Sequence, residues 1–486
     1  MRRIASAALV LIALTGCGTS AGHRAASWPR PNLDLASTRS LPASGIDRGN
    51  VKQLRVAWRF RIPTAPGPSG ALTATPVVAG GTVYLQDMQS DVYALDLATG
   101  TLKWRRRFGD ANPGPNGVAA AGGHVYGATD AGAFALDART GKVLWQTLLA
   151  TATARYVDMA PQIANGRVYV STVGVPPDGK GVLYALDART GAIRWRFTTI
   201  AQPWRIPALS GGGGAWYTPS VAGGQVFWGT TNPYPYGGSG AHPNGSAYGG
   251  AALYTDSLVV TRASDGHLDW YDQVTPHDVR DYDFPLPPVL IEAAGREAVV
   301  GAGKSGLVVA WDRTTHRRLW TAPVGVHRND RGPLPAQPVS VCPGLLGGVE
   351  TPIAAAGGRL FVPVVDLCMR GSATGYENLD AVNVAARGRG ELVSLDAATG
   401  RAVWTLRLPQ PDFGCATAAD GVVFTATFDG SVYGVDTQNG HVLWRAKAGA
   451  GVNSCPALAA NTLLVGAGVP LGAHPAIALT AYRVGT

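Results

Sequence analysis

The hydrophobic positions of this chain alternate with polar ones inside short stretches, and these stretches recur along most of the sequence. Five of them share one template: an apolar strand that ends in Asp, a Thr-Gly type turn, and a second strand that leads into a Trp. They are ALDLATGTLKW (94–104), ALDARTGKVLW (135–145), ALDARTGAIRW (185–195), SLDAATGRAVW (394–404) and GVDTQNGHVLW (434–444). Alternation bounded by turn residues predicts β-hairpins, and a fixed period predicts a repeat architecture.

Two less regular copies extend the series, and an eighth Trp strand stands near the start. The copies are TRASDGHLDW (261–270) and AWDRTTHRRLW (310–320), and the eighth strand, LRVAWRF, contains Trp58 but lacks the turn. Two or three further short strands fit between successive copies. Four strands per unit, repeated about eight times, predict an all-β fold, an eight-bladed β-propeller over residues 46–486. The Trp58 strand should complete the last blade, so that both ends of the ring meet in one sheet.

The residue types of the template have structural reasons. Gly accepts the positive φ that the turn needs, and Asp and Thr hydrogen-bond the amides of the turn. The indole buries a large area between neighbouring sheets. We therefore interpret the repeat tryptophans as packing residues and not as ligand contacts.

Two intervals between repeat tryptophans are long. Trp270 follows Trp195 by 75 residues and Trp404 follows Trp320 by 84, whereas the other intervals are 40 to 50 residues. Extra length in a repeat protein predicts loops on one face. The stretch TPHDVRDYDFPLPPVLI (275–291) comes directly after the first long interval, and its Asp281 and Asp283 are candidates either for a metal site or for the hydrogen-bonding acids of a turn.

Composition supports the all-β prediction and narrows the partners. The 486 residues are 46% hydrophobic and 15% charged, with 64 Gly and 34 Pro, so turns should be frequent and long helices scarce. The net charge of +9 is spread along the chain, and the longest basic run is RRR at 105–107. No nucleic-acid partner is expected.

The N-terminus predicts export. A basic MRR precedes the apolar IASAALVLIAL, and LTGC then places small residues before Cys17, as in a bacterial lipobox. Residues 1–16 are thus a predicted lipoprotein signal peptide, Cys17 the lipidation site, and 17–45 a tether and lead-in to the propeller. The protein is expected to be membrane-anchored through its lipid on the extracytoplasmic side, in the periplasm or at the cell surface. The alternative is ordinary secretion with Cys17 incidental.

Four cysteines remain after Cys17: Cys342, Cys368, Cys415 and Cys455. Because an exported chain meets oxidising conditions, two disulfides are possible. No CxxCH motif occurs in the sequence, which excludes a covalently attached c-type haem domain within it.

Four segments outside the repeats, in this order, carry a family resemblance. They are LASTRS followed by NVKQLRVAWRF, TNPYP followed by ALYTDSLVV (231–260), TPHDVRDYD, and GKSGLVVAWDR (303–313). Together with the repeats they make nearly the whole mature chain resemble the pyrroloquinoline quinone (PQQ) dependent alcohol dehydrogenases. The resemblance implies an eight-bladed propeller that holds PQQ beside Ca²⁺ or a lanthanide ion. It also implies oxidation of an alcohol or sugar-type hydroxyl, with electrons passed to an external acceptor such as a cytochrome c or a quinone.

The resemblance assigns roles to five positions. It implies that Asp281 is the catalytic base and a metal ligand, and that Asn232 is a second metal ligand. Asp283 falls where the family has the aspartate that accompanies lanthanide use, because a trivalent ion gains most from added negative charge. Lys304 falls on the basic residue that contacts the quinone oxygens, and Trp216 on the aromatic floor beneath the ring.

The chain also departs from the family pattern. Where the family has a metal-binding Glu, the sequence reads STVGVPPDGKG, with Asp178 as the nearby acid. The quinone-contacting Arg-Gly pair becomes Asn116 and Gly117, so Asn116 is the candidate cofactor contact there. The Trp that precedes the catalytic Asp becomes Arg280, and the adjacent cysteine pair is absent. Two readings stay open: a dehydrogenase in which Asp283 compensates for the missing Glu, or a catalytically decayed propeller that serves as a binding or assembly scaffold.

The resemblance also implies a first disulfide, between Cys342 and Cys368. Cys415 and Cys455 lie one repeat period apart, at equivalent positions of two successive units. Equivalent positions on adjacent blades are closest near the central axis, so a second bridge is predicted there.

Overall fold

The computed structural model describes residues 27–67, 70–112, 114–150, 155–174, 179–200, 204–471 and 475–485. The predicted signal peptide, the lipidation site Cys17 and Asp178 lie outside these described residues. The described chain is almost entirely β-structure, with one helix, α1 (Ala381–Arg387), and short 3-10 turns at Val51–Gln53, Pro207–Leu209 and Pro243–Gly245. Across this described part, no helix combines the length and the apolar character that a membrane crossing requires.

The strands follow in chain order. The first are β1 (Leu54–Arg61), β2 (Val77–Ala79), β3 (Thr82–Gln86), β4 (Val92–Asp96), β5 (Leu102–Arg106), β6 (Val118–Ala121), β7 (His124–Thr129), β8 (Gly132–Asp137), β9 (Val143–Leu148), β10 (Arg155–Tyr156), β11 (Gln162–Ala164), β12 (Arg167–Gly174), β13 (Val182–Asp187) and β14 (Ile193–Thr198). Next are β15 (Gly211–Gly212), β16 (Ser220–Ala222), β17 (Gln225–Gly229), β18 (Pro233–Tyr234), β19 (Ser257–Arg262), β20 (Leu268–Gln273), β21 (Val289–Ala293), β22 (Arg296–Ala302), β23 (Leu307–Asp312) and β24 (Arg318–Pro323). The last are β25 (Val339–Val341), β26 (Ala354–Ala356), β27 (Arg359–Asp366), β28 (Met369–Ser372), β29 (Gly375–Tyr376), β30 (Arg389–Asp396), β31 (Ala402–Leu408), β32 (Thr417–Ala418), β33 (Val422–Ala426), β34 (Ser431–Asp436), β35 (Val442–Lys447), β36 (Ala457–Ala459), β37 (Thr462–Ala467) and β38 (Ala478–Val484).

These strands form the predicted propeller, with eight blades in the described chain. The blades are β2–β5 (blade 1), β6–β9 (blade 2), β11–β14 (blade 3), β16, β17, β19 and β20 (blade 4), β21–β24 (blade 5), β26, β27, β30 and β31 (blade 6), β32–β35 (blade 7), and β36–β38 with β1 (blade 8). Every pairing within a blade is antiparallel. First strands contact each other between blades 1 and 2, 2 and 3, 5 and 6, and 6 and 7, as expected for strands that line a central channel.

Ring closure follows the prediction. Strand β1 pairs antiparallel with β38, in a register that sets Leu54 against Val484 and Arg61 against Ala478. Trp58, on β1, therefore belongs to the same blade as the last strands of the chain. The sheet that closes the ring contains both ends of the propeller sequence, and its faces pack against blades 1 and 7.

Each joint between blades packs a Trp of one blade beneath the turn of the next. A Cβ atom added to Gly141, whose φ is 68°, would lie 2.6 Å from the Trp104 ring, so this position needs glycine for two reasons. The Trp Nε1 atoms donate to carbonyl oxygens of the following blade: Trp58 to Leu97, Trp104 to Ala138, Trp145 to Ala188, Trp195 to Ala263, Trp320 to Ala397, Trp404 to Thr437 and Trp444 to Leu54.

Trp270 is the exception among the eight repeat tryptophans, all of which the structure describes. The facing turn of blade 5 has His316 instead of Gly, at φ 60°, and its ring stacks on the indole with 4.7 Å between ring centroids. The buried Nε1 of Trp270 has no hydrogen-bond partner. A charged group connects the two blades here instead. The carboxylate of Asp272 in β20 accepts hydrogen bonds from Trp311 Nε1 and Arg318 Nε, each at 2.7 Å.

Residues 28–39, part of the lead-in, lie inside the ring and hydrogen-bond to every blade. Their hydrogen bonds advance round the ring in order: Trp28 with Val78, Pro29 with Ala120, Arg30 with Ile163, Leu35 with Val221, Ala36 with Leu290, Thr38 with Ala355, and Arg39 with Ala418 and Pro456. All of these partners lie in or next to the first strands. The lead-in therefore fills the channel from one side.

Arg39 is the centre of that packing and is completely buried. Its guanidinium makes five hydrogen bonds, all to uncharged oxygens: the carbonyls of Ala416, Pro31 and Pro456, the Asn32 amide and the Thr417 hydroxyl. Burial lowers the pKa of Arg39 to about 9.

Antiparallel order places two kinds of loop on one face of the ring. The connections between blades and the loops between second and third strands share this face, and the Asp-Thr-Gly turns lie on the other. Both long intervals of the sequence enlarge loops on the face that carries the connections between blades, as the Trp spacing predicts. The long loops add two small sheets, β15–β18 and β25–β28–β29.

Both predicted disulfides are confirmed. Cys342 pairs with Cys368 inside the second long interval, with 4.5 Å between their Cα atoms. Cys415 pairs with Cys455, with 5.0 Å between Cα atoms. The second bridge joins the residues that lead into the first strands of blades 7 and 8, so it crosses a joint close to the channel.

Candidate functional site

The loop-bearing face brings together five of the residues singled out in the sequence. Trp216 precedes β16, Asn232 follows β17, Asp281 and Asp283 lie between β20 and β21, and Lys304 lies between β22 and β23. All five line one cavity of about 240 Å³ at the junction of blades 4 and 5.

The three aspartates of the segment TPHDVRDYD (275–283) have different roles. The acid of the turn is Asp278, whose carboxylate accepts from the backbone N–H of Arg280 at 2.8 Å and of Tyr282 at 2.6 Å. This turn holds Asp281 at φ 63°, a backbone conformation that non-glycine residues seldom adopt and that is common at functional sites. The side chains of Asp281 and Asp283 are thus left for the cavity.

Lys304 links the two aspartates. Its Nζ lies 2.8 Å from Asp281 Oδ2 and 2.7 Å from Asp283 Oδ2, and 4.8 Å from the centroid of the Trp216 ring. The Lys304 backbone N–H also donates to the Asp283 carbonyl at 2.9 Å. Two carboxylates, one ammonium and one indole therefore form a single buried group.

Charges in this group do not balance, because two acids share one ammonium. Burial by itself lowers the pKa of Lys304, but the attraction of Asp281 and Asp283 outweighs it and raises that pKa well above its usual value. Burial raises the pKa of Asp281, Lys304 lowers it, and the net direction is upward. A carboxylate with a raised pKa is a stronger proton acceptor once it is ionised.

Asn232 is fixed by its neighbours and leaves one atom free for a ligand. Its backbone N–H donates to Asp283 Oδ1 at 2.6 Å, and its side-chain Nδ2 donates to the Pro233 carbonyl at 2.9 Å. The amide oxygen is therefore the atom that can bind a cation.

The same cavity contains polar atoms that lack partners. Asp158 Oδ1, Thr231 Oγ1 and Trp216 Nε1 are buried and make no hydrogen bond within the described part of the chain. Buried polar atoms are normally paired, and unpaired ones indicate a missing ligand, ion or water. Asp158 was not singled out in the sequence, since it stands in no motif, and Thr231 begins the TNPYP segment without a role assigned to it.

Two other residues named in the sequence analysis, Asn116 and Arg280, do not line this cavity. Asn116 is buried outside this cavity, and its Nδ2 donates to the Asp87 carbonyl at 2.7 Å. Its role as a cofactor contact stays a prediction, and Gly114 of the same segment lines the cavity instead. Arg280 donates to the backbone carbonyls of Asn329, Arg331 and Gly332 and so fixes the neighbouring loop.

A second cavity of about 160 Å³ adjoins the first, with Trp216 and Gly114 in both linings. It is lined further by Glu350 and by the Cys415–Cys455 disulfide. Burial raises the pKa of Glu350 to about 7, while Lys304 lowers it and Asp283 raises it. Glu350 is a further acid of this region that sequence motifs do not reveal.

These residues fit a planar quinone and a hard cation. Carboxylate, amide and hydroxyl oxygens are the ligands that Ca²⁺ and lanthanides prefer, and the unpaired oxygens lie among them. Trp216 offers a flat indole, and Lys304 a positive charge for quinone oxygens. Within the described ranges, no three His, Cys, Asp or Glu side chains are grouped closely enough to hold an ion as they stand. The Lys304 ammonium lies between the two aspartates. A cation must therefore move Lys304 away from at least one of them.

A scan against family models matches the PQQ_2 family, described as outer membrane protein assembly factor BamB. Three overlapping matches span residues 47–227, 90–341 and 304–484, so they cover nearly all of the propeller.

Characterised proteins with similar sequences are dehydrogenases. The chain is 27% identical to the quinohemoprotein alcohol dehydrogenase of Comamonas testosteroni, over 89% of this chain and 71% of that protein. It is 25% identical to the lanthanide-dependent methanol dehydrogenase of Methylacidiphilum fumariolicum, over 88% and 82% of the two chains. A solved structure, a europium-containing methanol dehydrogenase, superposes with a TM-score of 0.80 at 22% identity, covering 94% of this chain and 98% of the other.

Proposed function

The chain belongs to the PQQ_2 family as a quinoprotein propeller of the PQQ-dependent alcohol dehydrogenase type, and from this we propose that it oxidises an alcohol or sugar-type hydroxyl with PQQ and a bound metal ion. The observation that carries the proposal is the convergence of Asp281, Asp283, Asn232, Lys304 and Trp216 on one buried cavity. A scaffold has no evident need for two acids and a lysine buried together. The substrate class is a small-molecule alcohol, and the electrons go to an external acceptor such as a cytochrome c or a quinone.

The residues divide the work of the reaction. Asp281 accepts the proton of the substrate hydroxyl from the wall of the cavity. Trp216 supports the flat cofactor, and Lys304 binds its oxygens once the ammonium leaves one aspartate. Asn232, Asp281 and Asp283 bind the cation through oxygen atoms. A bound quinone would supply the acceptor for the hydride equivalent of the alcohol carbon, and a bound metal ion would supply a Lewis acid beside it.

Asp283 supports a preference for a trivalent ion. Its carboxylate lies beside Asp281 on the same lysine, and each added negative charge favours a lanthanide over Ca²⁺. We expect Asp283→Ala to weaken activation by a lanthanide more than activation by Ca²⁺. Equal losses with both ions would contradict this preference.

The protein is proposed to work outside the cytoplasm, anchored by a lipid on Cys17. The two disulfides support an oxidising compartment. Labelling with a radioactive fatty acid, in cells that express wild type or Cys17→Ala, would test the anchor.

Reconstitution tests the main proposal. Purified protein is incubated with PQQ and either Ca²⁺ or a lanthanide, and dye reduction is followed over a panel of primary, secondary and sugar alcohols. We expect turnover that needs both additions and falls by about 10²- to 10⁴-fold in Asp281→Ala, because a general base contributes that much. Thermal unfolding of the variant is the control for folding. Turnover by Asp281→Ala at the wild-type rate would remove Asp281 from its role.

A second candidate function is a binding or assembly scaffold with a decayed site. The description of the matching family model favours it, as does the absence of a Glu from STVGVPPDGKG. A scaffold should bind neither PQQ nor a metal ion with affinity, so direct binding measurements separate the two candidates even if no substrate is found.

A further inference from the structure

We infer that Asp158 is a further ligand of the bound cation and supplies the carboxylate that the sequence lacks beside Asn232 and Asp281. This inference rests on the proposed function, since it concerns the same metal ion. It adds a residue from blade 3 to a site otherwise built by blades 4 and 5.

The position of Asp158 is the first argument. It lies between β10 and β11 and lines the same cavity as Asn232, Asp281 and Asp283. Only 4% of the residue is exposed to solvent. The carboxylate is therefore at the wall of the site and out of reach of bulk water.

The second argument is that Asp158 has an unpaired oxygen. Among the residues that the structure describes, its Oδ1 is buried without a hydrogen-bond partner, as is the hydroxyl of Thr231, the residue next to Asn232. An ionised carboxylate in this condition is strongly unfavourable unless a cation or donor is bound nearby. The ammonium of Lys304 does not meet this need, because it is held by Asp281 and Asp283.

The electrostatic surroundings point the same way. Burial raises the pKa of Asp158 well above its usual value, and the nearby charges of Asp130 and Asp283 raise it further. The same negative charges that favour a proton on Asp158 also attract a multiply charged cation. A hard cation takes six to eight oxygen ligands, more than Asn232, Asp281 and Asp283 provide.

Luminescence of Eu³⁺ tests the inference without relying on turnover. The protein is titrated with Eu³⁺ in the absence of PQQ, and lifetimes in H₂O and D₂O count the water molecules on the bound ion. We expect Asp158→Asn to weaken Eu³⁺ binding by roughly 10- to 100-fold and to add about one bound water. We also expect the metal-free variant to unfold at a higher temperature than wild type at neutral pH, because a buried carboxyl with a raised pKa, which costs stability there, has been removed.

Asp412→Asn is the matched control. Asp412 is also fully buried, has a raised pKa and one unpaired oxygen, and lies outside both cavities. It should show the gain in metal-free stability without any loss of Eu³⁺ affinity. If Asp158→Asn does not fold, Asp158→Ser is used in its place.

The outcomes separate the two levels of the argument. If wild type binds one Eu³⁺, Asp283→Asn loses it and Asp158→Asn keeps wild-type affinity and hydration, the metal site stands and the role of Asp158 is overturned. If wild type binds no Eu³⁺ under any condition, the proposed metal site itself fails, and Asp158 with it.

Discussion

Arg39 and Lys304 are both buried in the middle of the ring, but their charges are compensated in different ways. Arg39, in the lead-in, gives all five of its N–H groups to neutral oxygens and has no acid partner among the described residues. Lys304 is held by two carboxylates at the edge of a cavity, with further acids nearby. The first arrangement is complete in the protein alone. The second has excess negative charge and unpaired oxygens, so it is complete only with a cation.

Replacing Arg39 or Lys304 by Met should give the largest effects and is the most direct test of the difference between them. Each change leaves buried polar groups without their partner, so we expect the free energy of unfolding to fall by about 3–5 kcal/mol in both metal-free variants. Added La³⁺ should restore stability to Lys304→Met, since the ion replaces the ammonium, and should not restore Arg39→Met. Urea unfolding at pH 8, with and without La³⁺, measures both. Equal responses of the two variants to La³⁺ would remove the distinction.

A smaller effect, on the pH dependence of the free energy of unfolding, should show whether the acidic region of the site extends to Glu350. Because the pKa of Glu350 is raised to about 7, the folded protein holds a proton there that the unfolded chain releases above about pH 4.5. Stability from this group is therefore lost as the pH rises from about 4.5 to 7, by up to about 1.4 kcal/mol per pH unit. Glu350→Gln should flatten that slope and be the more stable protein at pH 8.

The control for that measurement is Glu297→Gln, because Glu297 is an exposed residue of β22. Urea unfolding is repeated between pH 5 and 8 for the three proteins. Parallel profiles of wild type and Glu350→Gln would show that Glu350 titrates normally and does not belong to the acidic region.

The smallest expected difference concerns the joints between blades. Trp104→Phe and Trp270→Phe lose a similar volume, but only Trp104 donates an Nε1 hydrogen bond to the next blade. We expect Trp104→Phe to cost about 1 kcal/mol more in the free energy of unfolding, the usual worth of one such bond. Chemical denaturation measures the difference. Equal losses would mean that the stacked His316 contributes as much as a hydrogen bond.

Much of the fold could be predicted because its causes are local and periodic. The Asp-Thr-Gly turn and the Trp strand repeat wherever a blade ends, and the unmatched Trp58 strand identifies how the ring closes. The lead-in could not be predicted in this way, because its hydrogen bonds join single backbone positions to all eight blades and leave no pattern in the sequence. The burial of Arg39 follows from those contacts and from nothing near it in the chain.

The site was predictable where a motif carried it and not elsewhere. Asp281, Asp283 and Lys304 stand in recognisable segments, and the cavity contains all three. Asp158 and Glu350 stand in none, and their chemistry comes from burial, which single residues do not reveal. The reverse holds for Asn116, where the sequence position suggests a ligand contact but the side chain bonds to the Asp87 carbonyl.

Among the joints of the ring, the one between blades 4 and 5 should be the most sensitive to ionic strength. Seven joints use a neutral Trp-to-carbonyl bond, which salt scarcely affects, while this one relies on Asp272 and Arg318, whose side chains are 23% and 38% exposed. Salt screens such partly exposed pairs. The connection between the same two blades carries Asp281 and Asp283. Added electrolyte therefore loosens the ring first at the place where the cavity lies, and amide hydrogen exchange of β20 and β24 should accelerate before that of the other outer strands.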